Sequence, residues 1–423
     1  MYDKNFIIDT VNNINFLYHI DSKKFFILDN LSLKKYTVGN SINSEMIYKE
    51  NQNLIIKTTK MDDKFSTFLD TKTIKKLVLI TTNSCNLKCI YCYANGGIYN
   101  KKIEFMSESI ITKLFSFLKR NKIIINELQF LGGEPLIASN QIETVFNLLE
   151  KLEVYPLNIS MVTNFTYLPE HIVDLLIKWK VYITVSIDGE KQINDLLRKS
   201  HDGSSTYELV KKNIASFRER GGVISCAEAT YTKIHQNSGI SKLRVIKAIQ
   251  KDFKIEDIVI NDAIDSNRSY NKELYLDKNS TENFIDKDHL HPDDLFFLQK
   301  ILFIQKKQSH ICSAGFQMLT VFPNGDIYPC QLLHKDSYKI GNIETLDKDI
   351  KNYIEISEKN NYEYKKEFNT CSECIARNIC KMCLSNKILS GKDNLCSEIR
   401  KNMLENLNKI VSKGILDNIS NLL

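Results

Sequence analysis

The chain is poor in the residues that loosen or extend a polypeptide. With 15 glycines and 6 prolines in 423 residues, it is unlike collagen-like, linker-dominated or disordered proteins, whose compositions are far richer in both. No uninterrupted apolar run approaches the roughly 18 residues of a membrane span. The start, MYDKNFIIDTVNN, lacks the basic-then-apolar layout of a secretory signal, so a cytoplasmic protein with no membrane attachment is expected. There is no basic tail: the formal charge of +6 is spread along the length and gives little reason to expect nucleic acid as a partner. Repeats and low-complexity tracts are also missing. What is present is 43% hydrophobic and 26% charged, enough to bury a core, in a chain long enough for a barrel of roughly 250 residues with appendages.

Against these absences stand eleven cysteines. A reducing cytosol does not maintain structural disulfides, and a chain of this size does not need them. Thiolates that hold metal are the leading explanation.

From residue 76, short β-branched runs alternate with amphipathic helical stretches, as in a parallel sheet wrapped by crossover helices. Six strands are expected, at 76–82, 127–132, 157–163, 181–187, 223–230 and 257–261, each apolar enough to be buried on both faces. Helices are expected at 107–120, 168–180, 205–222 and 291–307, the third with Ser205 as cap and Gly221 as stop. Beyond residue 310 the pattern breaks into cysteine-punctuated pieces that end in an amphipathic helix at 397–413. Before residue 75, INFLYHIDSKKFFILD reads as two strands joined by a turn at Asp21 and Ser22, and no helical period is evident after it. The expected organisation is α/β: a small N-terminal module over 1–75, a partial (β/α)6 TIM barrel over 76–308, and a cysteine-bearing domain over 309–423.

Cys85, Cys89 and Cys92 lie in TTNSCNLKCIYCYANGG, directly after the first barrel strand, on the side where barrel enzymes keep their chemistry. Three thiolates can fix a four-iron cubane and leave one iron open, whereas a closed structural zinc site takes four ligands. Zinc, or scattered core cysteines, is the competing reading. The CxxxCxxC spacing with an aromatic residue, Tyr91, before the third cysteine resembles the radical S-adenosylmethionine (radical SAM) superfamily. The resemblance implies a 4Fe-4S cluster whose open iron binds the amino and carboxylate groups of S-adenosylmethionine, reductive cleavage of the sulfonium, and a 5′-deoxyadenosyl radical that takes hydrogen from substrate. It also implies a reductant of flavodoxin or ferredoxin type.

Further matches follow later strands. Gly132, Gly133, Glu134 and Pro135 match the family's GGEP motif; the glycines allow close backbone approach, and the carboxylate suits the methionine ammonium. Asn164, in MVTNFTYL, resembles the TNG segment, with Phe165 in place of glycine. Ser186, Asp188 and Gly189 form SIDG, and Arg198 falls where related maturases carry an arginine before a DG turn, here Asp202 and Gly203. Ser186 and Arg198 suit the cofactor's ribose or carboxylate. Glu228 would face the ribose or be a buried structural carboxylate, and Cys226 reads as a small core residue. No side chain is assigned as catalytic acid or base.

Seven cysteines remain: Cys312, Cys330, Cys371, Cys374, Cys380, Cys383 and Cys396. Their order, with Gly325 before Cys330 and CSECIARNICKMC, resembles the SPASM extension of radical SAM enzymes, which binds two auxiliary iron-sulfur clusters, expected as 4Fe-4S. Cys380 and Cys383 are separated by two residues where three are usual. Carried over by position, the outer cluster takes Cys371, Cys374, Cys380 and Cys396, and the inner one takes Cys312, Cys330 and Cys383. No further cysteine lies near Met318, where some relatives supply a fourth ligand, so the inner cluster is expected to have an open iron. A zinc ribbon, and with it a scaffold without turnover, is the rival from another class.

SPASM enzymes mostly modify peptides or proteins. Sulfatase-maturing members carry an aspartate base after the cysteine corresponding to Cys330; here Gln331 stands there and cannot accept a proton at neutral pH. The N-terminal hairpin resembles the opening of modules that capture a precursor's leader by adding its strand to a sheet edge. An open inner cluster offers a place for a substrate thiolate. The expected function is therefore maturation of a ribosomally made precursor peptide bearing a leader, with a cysteine thioether crosslink as product. Carbon-carbon crosslinking, or Ser or Cys oxidation as in anaerobic sulfatase maturation, is the alternative.

Overall fold

The computed structural model describes residues 1–20, 22, 24–51, 68–263, 272–274, 276, 313–346, 374–377 and 394–412. The chain divides into two compact units, one holding 1–64, 282–312 and 362–423, the other 65–281 and 313–361.

In the first unit, β1 (Phe6–Val11), β2 (Ile14–His19) and β3 (Lys24–Leu28) form an antiparallel sheet in that order. Asn12 and Asn13 join β1 to β2 with φ of 49° and 62°, the left-handed pair that a two-residue hairpin needs and that asparagine tolerates. Strand alternation sends the side chains of β1 and β2 into two cores. Phe6, Ile8 and Leu17 pack with Tyr36 and Ile47, from the helices Asn30–Tyr36 and Ser44–Glu50. A two-residue hairpin, β4 (Thr37–Val38) with β5 (Ser41–Ile42), joins these helices. Ile7, Phe16 and Tyr18 pack instead with Met403, Leu407 and Ile410 of the closing helix Asn394–Ser412, whose apolar residues recur at helical spacing. Ile375 and Ala376 share that second core. Arg377 Nη1 donates to the carbonyls of Lys4, at 2.7 Å, and Cys374, at 3.0 Å.

In the second unit, six parallel strands lie side by side in sequence order: β6 (Thr73–Ile80), β7 (Ile124–Leu131), β8 (Asn158–Thr163), β9 (Tyr182–Ser186), β10 (Cys226–Tyr231) and β11 (Ile258–Asp262). Crossover helices include Glu108–Arg120, Ser139–Leu152, Glu170–Lys178, Thr206–Glu219 and Lys242–Phe253. This is the partial (β/α)6 barrel, and all six strands fall within a few residues of the expected runs. Ser205 caps its helix by accepting from the Glu208 amide, and Gly221 ends it at φ 88°. Leu77 and Leu79 face the helices, while Val78 and Ile80 face a separate cluster with Tyr99, Phe322 and Tyr328.

The sheet also continues beyond β6. Strand β12 (Met318–Val321) pairs parallel to β6, followed by antiparallel β13 (Asp326–Tyr328) and β14 (Gly341–Asn342). Strands this short leave no readable alternation, which is why the sequence suggested only broken pieces there. The helix expected at 291–307 and the turn residue Asp21 lie outside the described residues.

Candidate functional site

The loop after β6 is seated by backbone contacts that exclude side chains. The amides of Gly133 and Glu134 donate to the carbonyls of Thr82, at 3.0 Å, and Ser84, at 2.8 Å. A Cβ on Gly132 would lie 2.3 Å from the Thr82 oxygen, one on Gly133 2.1 Å from the Ser84 oxygen, and one on Gly97 2.4 Å from Gly133 Cα. Farther along, the Lys88 and Ile90 amides donate to the carbonyls of Lys199 and Leu197. The loop is thus pinned to the turn after β7 on one side and to the end of the helix Lys191–Leu197 on the other, and Cys85, Cys89 and Cys92 line one cavity of about 390 Å³ together with Ser84, Leu87 and His201.

All three thiols are free and half-buried. Burial pushes the Cys85 thiol well up, with the Glu134 carboxylate adding to it. Burial likewise lifts Cys89 to about 12, against the opposing pull of Arg198. Left alone, both stay protonated at neutral pH, and a cationic metal centre is what makes such thiols ionise. Among the described residues no three His, Cys, Asp or Glu side chains form a group that could hold a single metal ion. Three thiols on one loop are the donor set of a metal group held through sulfur.

Glu134 is 1% exposed. Its carboxylate accepts from the Leu136 amide (3.0 Å), the Thr163 hydroxyl (2.5 Å) and the Asn164 amide (2.7 Å). Burial pushes its pKa up to about 7, with these hydrogen bonds opposing. Much of its accepting capacity therefore goes to tying the end of β7 to the end of β8. Pro135 opens the short 3-10 turn that follows. The Asn164 side chain donates to Asn86 Oδ1 at 2.9 Å and approaches Cys85 Sγ at 3.8 Å, and its oxygen accepts from the Thr166 amide and hydroxyl. Phe165 takes φ 54°, the conformation that the usual glycine would supply.

Asp188 is fully buried and forms the hub of a polar cluster that reaches the cysteine loop through Tyr91. It accepts from Tyr91 Oη at 2.5 Å and the Thr230 amide at 2.8 Å, and Arg198 Nε lies 2.9 Å from Oδ2 as an ion pair. The Arg198 guanidinium sits 5.6 Å from the Tyr91 ring centroid, and His235 Nε2 contacts the Asp188 carbonyl at 2.9 Å. The structure thereby brings SIDG, Arg198 and the cysteine loop together. Ser186 pairs in register with Glu228; Glu228 accepts from Asn261 at 2.5 Å and is raised by burial. Cys226 is a buried residue of β10. Asn86, Thr163, Thr166 and His235 were not anticipated. They are common polar residues outside any cysteine or glycine spacing, and only their three-dimensional partners single them out.

Of the remaining cysteines, Cys330 is buried two residues after β13, and the neighbouring Gln331 Oε1 is buried with no hydrogen-bond partner among the described residues. Cys374 and Cys396 are half-buried in the first unit. Cys312, Cys371, Cys380 and Cys383 lie outside the described residues. No described helix is long and apolar enough to cross a membrane.

Comparison with known proteins places two family models on the chain: the radical SAM superfamily over residues 79–232 and the SPASM iron-sulfur cluster-binding domain over 312–383. The chain is 25% identical to a cysteine-type anaerobic sulfatase-maturating enzyme of Clostridium perfringens over 77% of its own length and 90% of that protein's. It is 22% identical to the antilisterial bacteriocin subtilosin biosynthesis protein AlbA of Bacillus subtilis over 62% of its length, spanning 56% of that protein. Among solved structures, anSMEcpe with bound AdoMet matches with a TM-score of 0.61 at 21% identity, covering 82% of this chain and 95% of that one; at that identity the likeness is one of fold.

Proposed function

The chain belongs to the radical SAM superfamily and carries a SPASM extension, and from that premise we propose that it matures a ribosomally made precursor peptide by forming a cysteine thioether. Its cofactors are S-adenosylmethionine, a 4Fe-4S cluster and auxiliary iron-sulfur clusters, which supply one-electron reduction and hydrogen abstraction when bound. In this reading Cys85, Cys89 and Cys92 hold the cluster, and Cys330 belongs to an auxiliary cluster. The observation that carries it is three half-buried thiols lining one cavity, on a loop tied through Tyr91 to the Asp188–Arg198 ion pair.

The protein's own residues orient and exclude water. Arg198, held by Asp188 and stacked near Tyr91, supplies fixed cationic donors suited to a carboxylate. Ser186, the last residue of β9, stands opposite Glu228 on the neighbouring strand β10, where a ribose can be held. The GGEP turn lets the cysteine loop pack without side chains between. At the other unit, β3 pairs with β2 alone among the described residues, and this supports capture of a leader strand at its open edge. A flavodoxin- or ferredoxin-type protein is the proposed electron donor.

Similarity to a sulfatase-maturating enzyme along most of both chains supports a second reading, oxidation of a Ser or Cys in a protein substrate. Gln331 weighs against it, because an amide cannot take the proton that such an oxidation must shed. The test is co-expression with the short cysteine-containing peptide encoded beside the gene, followed by tandem mass spectrometry. The thioether reading expects loss of two hydrogens per bridge at a cysteine that resists alkylation; an alkylatable cysteine with a change elsewhere would remove it.

A further inference from the structure

Lys101 lies on the stretch that follows Cys92 and reaches into the β12–β13 hairpin. Its Nζ donates to Tyr328 Oη at 2.8 Å, sits 4.7 Å from the Tyr328 ring centroid and 5.2 Å from that of Phe322, and lies 4.0 Å from Asp326. Its side chain is 24% exposed, so the cation faces these groups with part of its hydration removed, the condition under which contact with ring faces is strongest. Both ends of the contact are fixed. On one side, the Lys101 amide bonds the Ile98 carbonyl, and the Lys102 carbonyl accepts from Asn83, two residues before Cys85. On the other, Tyr328 is fully buried and stands two residues before Cys330. Asp326 is held by Lys339 and Asn342. Between them Cys92 packs against the cluster of Tyr99, Phe322 and Tyr328.

We propose that Lys101 is a positioning residue that clasps the cysteine loop to the hairpin leading into Cys330 and so sets the spacing between the radical SAM cluster and the auxiliary cluster at Cys330. The inference rests on the functional reading above. A neutral side chain of similar length loses the charge-assisted bond and the cation's attraction to both rings, whereas arginine keeps a cation that can reach the same groups.

The experiment compares reconstituted holoenzyme with Lys101→Met, Lys101→Arg and Tyr328→Phe. Two quantities are read: the magnetic interaction between the reduced clusters by electron paramagnetic resonance, and deuterium uptake at amides 326–333. Lys101→Met is expected to alter the interaction and raise early uptake at least fivefold at unchanged iron content. Tyr328→Phe should shift both less, and Lys101→Arg should restore both toward the parent. Lys101→Met matching the parent in both readouts, or Lys101→Arg as perturbed as Lys101→Met, would overturn the clasp. If the parent itself shows no interacting paramagnets, the cluster reading fails, and the uptake comparison still decides whether Lys101 holds the hairpin.

Discussion

At Phe165 two demands compete. The backbone turns through φ 54°, which costs a side-chain-bearing residue about 1–2 kcal/mol, yet the ring is fully buried and meets Phe217 edge-on at 5.7 Å. Truncating a buried phenylalanine costs about 3–5 kcal/mol, so packing outweighs strain. Phe165→Gly, which relieves the turn, should lose about 2 kcal/mol or more, and Phe165→Ala should melt lower still; a glycine variant that melts with the parent would show that the ring matters little, and an alanine variant above the glycine one would show that the turn carries no strain. Glu134 offers a pH test. Its carboxyl is raised from 4.5 to about 7 by burial, so the native state binds more protons than the unfolded state between those values. The resulting stabilisation is complete below about 4.5 and is lost as pH rises through 7. In cluster-free protein the melting temperature should fall across that window, and Glu134→Gln should flatten the slope. At this scale cysteines and glycines were legible because their spacing constrains them. The Asn86–Asn164–Thr166 network was not, because residues 78 and 80 positions apart meet only in the fold.

Among elements, the strands of the barrel were legible because each is a continuous apolar run flanked by helical periods. The helices Asn30–Tyr36 and Ser44–Glu50 were missed: at two turns each, they give their apolar spacing no room to repeat. Their start signals were present, in Asp29 accepting from the Ser32 amide at 2.6 Å and Asn43 accepting from the Met46 amide at 3.2 Å. Strand β1 was missed as well, although Asn12-Asn13 is a hairpin turn in plain sight. Its Ile7 contributes to the core shared with the closing helix, and Ile7→Asp would bury an unpaired charge there. Melting of the first unit should fall measurably in that variant, while Ile14→Asp, at an exposed position, should leave it within about 0.5 kcal/mol. The join of β7 to the cysteine loop is equally specific. Gly133→Ala sets a methyl 2.1 Å from the Ser84 carbonyl, so the loop must move, and iron in the purified protein should drop by about four atoms per chain.

For the whole molecule, the order of cysteine loop, strand ends and C-terminal cysteines was legible as one chemistry. Two features were not: the continuation of the barrel sheet into β12, β13 and β14, and the union of chain start and chain end in one unit. Both depend on pairing between segments hundreds of residues apart, which no local pattern encodes. The continuation matters to function because it ties the segment before Cys330 to the same sheet that presents Cys85, Cys89 and Cys92. The most direct trial of this account is to reduce the anaerobically reconstituted protein with dithionite in the presence of S-adenosylmethionine and measure 5′-deoxyadenosine. The parent should form it and Cys89→Ala should form none; a parent that makes none, or a variant that makes as much, would contradict the assignment of these three thiols.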